Sequence, residues 1–400
     1  MIDVEPWGIV EELVHVDGGV HTAVAETIGR HGPAAVVEVL VEELRTRVDH
    51  HADFGALTVR LDIVWDGETF AHLLEFTAGR ATGRGVPSAA EDVVIRWTLD
   101  DLVRRLFPAA DREDRLGWDY EPVWADRMRT ELAAVRAGAR DLADVQREFD
   151  DTVATISRAS HLVRSATTRG AGTLDELAVR FGSDKYGHHH WYTQHYDTHL
   201  RPLRDQPVRV LEIGIGGYQD PRSGGESLRM WEQYFRRGLV YGLDIHEKKG
   251  IESTRIRTLS GDQSDPRFLD EIGRKHGPFD VIIDDGSHVN EHVITSFEAL
   301  FPHLRDEGYY VVEDTQTAYW PAFGGTPEGV ASAGTSLGFL ARLIDGLNHR
   351  EHRTSPEQEP ARYDRSIAGI FFYHNLVFLK KAVNAENGWP IWARSQNPGG

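Results

Sequence analysis

The chain has no cysteine among its 400 residues. That absence excludes a disulfide framework, a thiolate zinc site and a cysteine nucleophile. Positive charge is also scarce, with 44 Lys and Arg against 63 Asp and Glu, for a formal net charge of −19. Binding a phosphate backbone needs clustered Lys and Arg, so no nucleic-acid partner is expected. Long apolar runs are missing too: none is long enough to span a bilayer, and the opening MIDVEPWGIVEELVHVDGG carries acids where a signal peptide carries bases. Solenoid-length repeats and low-complexity tails are absent. These absences predict a soluble, cytoplasmic protein with no membrane partner. Its length suits two domains, or one large domain with an appendage.

What is present is organised around Val208–Glu226, VRVLEIGIGGYQDPRSGGE. Val208, Val210, Leu211 and Ile213 form a short buried-strand pattern with Glu212 interposed, and Gly214, Gly216 and Gly217 follow at once. Glycines there let backbone N–H groups approach a ligand that any Cβ would hold off. A second apolar strand, Leu239–Asp244, ends in an acid where a doubly wound sheet sets a carboxylate against ribose hydroxyls. Together they point to an adenosine-containing cofactor.

Strand and helix patterns alternate downstream: Arg255–Leu259, Pro266–Lys275, Phe279–Ile283, Val293–Leu304 and Tyr309–Val312. This is a parallel α/β sheet with right-handed crossovers. Acids stand at nearly every strand end: Asp244, Asp262, Asp284 with Asp285, and Glu313 with Asp314. A single acid there is usually a helix cap. Two adjacent pairs after consecutive strands are hard to explain so, because clustered carboxylates repel unless a cation or proton relieves them. Ser366–Phe372 and Leu376–Lys381, joined through Tyr373-His374-Asn375, predict a terminal hairpin that puts antiparallel strands on the sheet edge, a feature of the class I methyltransferase sheet. The stretch from Trp320 to Arg362, with one helix at Leu337–His349, reads equally as a lid or a structural excursion.

The N-terminal part is mixed. Thr22–Gly29 and Ala34–His50 read as helices, and Leu57–Val64 and Thr69–Phe76 as a hairpin about Asp66-Gly67. Thr77–Glu91 reads as a loop before the strand Val93–Trp97 and the helix Leu99–Phe107. His50 and His51 read as side chains near a helix end. Asp119–Arg164 has apolar residues at three- and four-residue intervals, as in one or two connector helices. The organisation expected is an α+β auxiliary region over 1–118, a helical connector over 119–170 and a Rossmann-like domain over 171–400.

After the helix Thr173–Phe181 comes GSDKYGHHHWYTQHYDTHL, with His188, His189, His190, His195 and His199 among Trp191, Tyr192 and Tyr196. It reads equally as an aromatic-stacking surface segment or as a cover over a small-molecule site, to which Tyr192 would contribute. The cofactor set expected is Glu212, Gly214, Gly216, Asp244, Asp262 and Asp284, with Tyr192. His288-Val-Asn-Glu291-His292 also matches the H-x-x-E-H pattern of inverted zinc metallopeptidases. A glycine-rich cofactor turn beside it has no use in a peptidase.

VLEIGIGG, Asp244, FDVIIDDGSH and GYYVVEDTQ, in this order, resemble the S-adenosylmethionine- and magnesium-dependent sugar O-methyltransferases of macrolide and polyketide antibiotic biosynthesis, the group of mycinamicin and rhamnosyl O-methyltransferases. The resemblance implies methyl transfer to a deoxysugar hydroxyl on a glycosylated macrolide or polyketide. It implies magnesium ligands at Asp285, Glu313 and Asp314, a general base at His288, and a homo-oligomer, commonly a tetramer, assembled with help from the N-terminal region. The chemistry is consistent: a sugar hydroxyl must lose its proton as it attacks, carboxylate oxygens suit magnesium, and neutral imidazole accepts protons. Two alternatives stand beside it. One is a cephalosporin-hydroxylase-like protein of the same fold, which would be expected to favour two His and one carboxylate; the other is a non-catalytic sugar-binding or assembly protein.

Overall fold

The computed structural model describes residues 6–48, 57–77, 80–84, 93–108, 120–121, 124–148, 166–167, 172–187, 190–351 and 359–385. The chain divides into two compact units, 1–173 with 204–206, and 174–203 with 207–400.

The first unit carries helices α1 (Pro6–Val14), α2 (Val20–His31) and α3 (Pro33–Arg47), strands β1 (Leu57–Trp65), β2 (Glu68–Thr77), β3 (Arg80–Arg84) and β4 (Val93–Thr98), and helix α4 (Leu99–Leu106). The two-residue strand β5 (Tyr120–Glu121), α5 (Trp124–Arg136) and a helical turn pair α6 over 142–148 follow. Its sheet runs β3-β2-β1-β4-β5. The expected hairpin forms with Trp65 opposite Glu68, and Asp66 and Gly67 at φ 47° and 80°, the two left-handed residues that a tight hairpin turn of matching twist requires. The loop expected over Thr77–Glu91 is corrected, because β3 lies inside it. Its backbone pairs with β2 from Leu73↔Arg84 to Thr77↔Arg80, and that ladder overrides the weak strand preference of Gly, Ala and Arg. His50 and His51 fall outside the described residues, as do 149–165 of the expected connector.

The second unit begins with α7 (Leu174–Phe181) and α8 (Thr193–Leu200) and continues as β6 (Arg209–Ile213), α9 (Glu226–Tyr234), β7 (Leu239–Asp244), β8 (Ile256–Ser260), α10 (Pro266–His276), β9 (Phe279–Asp284), α11 (Asn290–Leu300), β10 (Leu304–Glu313), α12 (Ser336–Leu347), β11 (Ile367–Tyr373) and β12 (Leu376–Lys381). The sheet order is β11-β12-β10-β9-β6-β7-β8. From β10 to β8 every neighbouring pair is parallel. Both faces are covered, so β9 is buried along its whole length and reads as a continuous apolar run rather than an alternation. β12 pairs antiparallel with both β10 and β11. The expectation of antiparallel edge strands is therefore refined: β12 alone runs backwards, and β11 regains the direction of the parallel strands. This is the class I methyltransferase arrangement.

The boundaries of α11 and β10 move. α11 starts at Asn290 rather than Val293 and ends at Leu300, and Leu304, expected in that helix, opens β10 after a 3-10 turn through Pro302. The stretch after β10 is fastened to the start of α11 where it is described. The buried Asn290 amide nitrogen donates to Thr317 O (3.1 Å) and Phe323 O (2.8 Å), and its oxygen accepts from Ser336 N (2.7 Å) and Ser336 Oγ (2.9 Å). All four of its hydrogen-bonding positions are used, which staples the excursion to the start of α11. Among the described residues no helix is long and apolar enough to cross a membrane.

Candidate active site

β7 and β9 flank β6, and the chain leaves the sheet in opposite directions from this point. Such a switch opens a crevice beyond the carboxyl ends of the strands. A cavity of about 910 Å³ lies there. Its walls are Gly182, Ser183 and Asp184 after α7, the loops that follow β6, β7, β8, β9 and β10, and the start of α9.

The glycine turn makes the near wall. Gly214, at φ 94°, donates its N–H to Leu243 O at 2.7 Å, and a Cβ there would stand 2.1 Å from Asp285 O. Any side chain would push the β6 and β9 loops apart. Gly217, at φ 70°, has the same constraint, since a Cβ would meet Ser223 O at 2.2 Å. The rest of this loop is closed from outside by Lys248, whose ammonium donates to Tyr218 O (2.8 Å) and Asp220 O (3.2 Å). Gly214 and Gly216 both line the cavity.

Asp244 and Asp262 line it as well. Asp244 accepts the backbone N–H of Ile215 (3.1 Å) and of His246 (2.9 Å), which fixes the carboxylate in the wall while leaving lone pairs for a ligand. Asp262 accepts from the backbone and hydroxyl of Ser264, and these bonds hold its carboxyl below the usual range. Asp265, three residues on, is the helix cap of this loop, accepting from Arg267 N and Phe268 N. The cap and the wall acid are therefore separate residues.

The far wall holds Asp285, His288 and Asp314, whose potential ligand atoms lie within 4.8 Å of one another. His288 Nε2 is 3.7 Å from Asp314 Oδ2. Both residues have left-handed backbones, φ 55° for His288 and 53° for Asp314. Non-glycine residues in that region carry a conformational cost, and they concentrate where a site holds them in place. The two carboxylate donors suit a hard divalent cation with room for substrate oxygens, and the imidazole stands beside them. His292 also borders the cavity, and its Nδ1 is hydrogen-bonded to Ser287 Oγ at 2.9 Å. Among the described residues it joins no metal-competent group with His288, so the H-x-x-E-H pattern is not assembled.

Behind this wall lies a second group, Glu212, Asp285 and Glu313, with ligand atoms again within 4.8 Å of one another. Lys185 stands in its midst, its ammonium 3.1 Å from Glu212 Oε1, 2.8 Å from Asp285 Oδ2 and 2.6 Å from Glu313 Oε1. Burial disfavours that ammonium, but the carboxylates outweigh it and hold Lys185 well above the lysine range. Burial and the surplus negative charge of Asp285 push Glu313 up in turn. Asp285 belongs to both groups; Glu313 and Asp314, though adjacent in sequence, are divided between them.

Helix α8 and its preceding residue reach the same two acids. Tyr192 and Tyr196 are one helical turn apart and so share a face. Tyr192 OH donates to Asp314 Oδ1 (2.8 Å) and Asn375 O (3.2 Å), and Tyr196 OH donates to Glu313 Oε1. Burial, reinforced by these carboxylates, raises both phenols, so they remain donors. His190 stacks on Tyr192 with ring centroids 4.4 Å apart, its Nε2 3.5 Å from Asp314 Oδ1. His188 and His189 lie outside the described residues.

Of the cofactor set expected from sequence, Gly214, Gly216, Asp244 and Asp262 are wall residues, whereas Glu212, Asp284 and Tyr192 are buried behind the wall. Glu212 accepts from Ser227 Oγ at 2.8 Å. Asp284 accepts from Gln263 Nε2 at 2.6 Å, and burial pushes its carboxyl up to about 7. Gln263 Oε1 in turn accepts Ser287 N at 2.9 Å, linking the β8 and β9 loops. Lys185 and Gln263 escaped the sequence reading, and Tyr196 entered it only as part of the aromatic segment before and within α8. For Lys185 the only local signal was a lysine between Asp184 and Tyr186 in a segment whose histidines drew the eye.

Comparison with known proteins bears on this geometry. Residues 10–114 match the family model described as MycE methyltransferase N-terminal. The chain is 41% identical over 386 residues to demethylmacrocin O-methyltransferase of Streptomyces fradiae, covering 96% of this chain and 94% of that protein. It is 40% identical over 394 residues to mycinamicin VI 2''-O-methyltransferase of Micromonospora griseorubida, covering 96% and 93%. Among solved structures, MycE methyltransferase in complex with Mg, SAH and mycinamycin VI aligns with a TM-score of 0.81 at 37% identity, covering 96% of this chain and 99% of that one.

Proposed function

Since the chain belongs to the sugar O-methyltransferases of macrolide and polyketide antibiotic pathways, we propose that its cavity binds S-adenosylmethionine and magnesium and transfers the methyl group to a hydroxyl of a deoxysugar on a glycosylated macrolide or polyketide. The observation that carries this reading is the division of one cavity between two walls. The glycine turn with Asp244 suits an adenosyl group, and the facing Asp285, His288 and Asp314 suit a metal and a hydroxyl.

The roles follow from the walls. Gly214 and Gly216 leave backbone open to the cofactor, Asp244 accepts from ribose hydroxyls, and Asp262 borders the same chamber. Glu212, Asp284 and Tyr192 support them from behind, through Ser227, Gln263 and Asp314 respectively. Asp285, Glu313 and Asp314 hold the cation, Glu313 through the carboxylate oxygen other than the Oε1 that Lys185 and Tyr196 occupy. Magnesium bound there would lower the pKa of a sugar hydroxyl and orient it. His288 accepts the hydroxyl proton at Nε2 while the oxygen attacks the methyl carbon in line. The new C–O bond forms as the C–S bond breaks, its electron pair returns to the sulfonium sulfur, and the neutral thioether leaves. The strained backbone of His288 and its separation of 3.7 Å from Asp314 support its place as the base beside the metal.

We extend the reading to assembly as a homo-oligomer, a tetramer, with the α+β region 1–118 serving assembly, 119–170 a helical connector and the region 171–400 the chemistry. Family membership supports this, and light scattering of the purified protein tests it. A soluble cytoplasmic location is consistent with the absence, among the described residues, of a helix able to cross a membrane.

Calorimetric titration tests the cofactor assignment. S-adenosylmethionine should bind the purified protein, and magnesium should bind with an affinity lost in Asp314→Ala. A protein that binds neither would overturn the reading.

A further inference from the structure

One charge in the acid rim has no part in the reaction just described. Lys185 has no exposed side-chain surface, and its ammonium reaches Glu212, Asp285 and Glu313 at 3.1, 2.8 and 2.6 Å. Two of the ammonium's three donors go to Asp285 Oδ2 and Glu313 Oε1, and Glu212 Oε1 is an ion-pair contact. The acids stand on β6, just after β9, and at the end of β10, which are adjacent in the sheet. A single side chain thus ties three strand ends together. Its own backbone is fixed, since Lys185 O accepts the N–H groups of Tyr192 (2.9 Å) and Thr193 (3.3 Å) at the start of α8.

Charge balance gives the arrangement its meaning. One ammonium against three carboxylates still leaves a negative cluster. Without the ammonium, three acids with oxygens within 4.8 Å of one another would need a proton or a metal to relieve them. Asp285 makes the connection outward: it bonds the ammonium through Oδ2 and also belongs to the open group with His288 and Asp314. Holding one of its oxygens on a buried cation sets the plane of a carboxylate that the divalent ion must also use.

We propose that Lys185 is a built-in counter-cation of the metal site, which holds Asp285 and Glu313 and keeps the acid rim folded before metal arrives, and whose charge competes with the divalent ion for the same carboxylates. The inference rests on the magnesium-binding reading above. A lysine that merely packed the interior would do none of this.

The test is thermal unfolding in EDTA and in saturating magnesium, together with calorimetric titration of magnesium without cofactor or substrate. Wild type gains from magnesium only the increment that binding itself supplies, RT ln(1 + [Mg]/Kd). Lys185→Met, which keeps the stem and removes the charge, unfolds much lower in EDTA and recovers most of the loss in magnesium. It also binds magnesium more tightly, by about tenfold or more, because the ion no longer meets a neighbouring positive charge. In Lys185→Met/Glu212→Gln, which removes one carboxylate with the ammonium, stability in EDTA returns toward wild type. If the single variant cannot be purified, the double variant decides, recovery supporting the proposal and failure to recover overturning it. An equal loss in EDTA and magnesium with unchanged magnesium affinity would also overturn it. Wild type that bound no magnesium would instead refute the function proposed above, so the two failures are distinct.

Discussion

Glu313 and Asp314 are neighbours in the chain and live in different chemistry. Glu313 is buried, with Lys185 and Tyr196 donating to one of its oxygens. Asp314 borders the cavity, left-handed in its backbone, with His288 facing it at 3.7 Å. Asp284 and Asp285 divide the same way, Asp284 sealed against Gln263 and Asp285 shared between lysine and cavity. Successive residues at a strand end point to opposite sides, so each acidic pair sends one member inward and one to the ligand space. The repulsion expected of such pairs is thus relieved from two directions, by a lysine on the closed side and, on the present reading, by a metal on the open side.

Breaking the comparison at its strongest point means removing the ligands. Substituting Asp285, Glu313 or Asp314 by Ala should abolish turnover, and EDTA should do so reversibly in the wild type. The two sides should separate in stability: Glu313→Ala leaves Lys185 short of a buried partner and costs about 3–5 kcal/mol in denaturant unfolding. Asp314→Ala should cost far less. Equal losses would erase the distinction between closed and open acids.

Next in size is the base. His288→Ala should lower kcat by roughly 10²–10⁴-fold while S-adenosylmethionine and magnesium affinities stay nearly intact, the signature of lost proton transfer. Wild-type turnover retained in this variant would move the base elsewhere. Asp284, sealed behind the wall, is poorly placed to replace it.

On the cofactor wall, Asp244→Ala should weaken S-adenosylmethionine binding by about 1.5–3 kcal/mol, the range for a hydrogen bond to a charged group. Unchanged affinity by calorimetry would mean that Asp244 serves only the Ile215 and His246 amides that it already accepts.

Away from both walls the effect should be smallest. His199, on α8, is bonded to Tyr373 OH at 2.9 Å, and burial with neighbouring His195 depresses its pKa. The unfolded chain then takes up the proton first, so stability is flat above about pH 6.5 and falls as pH drops below it. Melting curves of His199→Gln should lose part of this acid sensitivity. An identical pH profile would show that His199 is not its source.

The parts of this account legible in the sequence are those with a local signal. The run Val210–Ile213 before Gly214, the acid closing Leu239–Asp244 and the Asp66-Gly67 turn each declare themselves within a few residues. The parity of an acid at a strand end does not, because it depends on which side the last pleat faces. Glu212, Asp284 and Tyr192 therefore read as cofactor contacts and stand behind the wall. Lys185 was illegible for another reason: it is 100 residues from Asp285 and 128 from Glu313, and only the folded sheet makes them neighbours. β3 was lost because its stability comes from the β2 ladder and not from its own residues.

The most direct test of the central claim is transfer of a labelled methyl group from S-adenosylmethionine to macrolide and polyketide glycosides that carry free deoxysugar hydroxyls, assayed with magnesium and with EDTA. Label should appear on a sugar oxygen with magnesium present and vanish with EDTA. Transfer undiminished in EDTA, or label on no glycoside of either class under magnesium, would contradict the account.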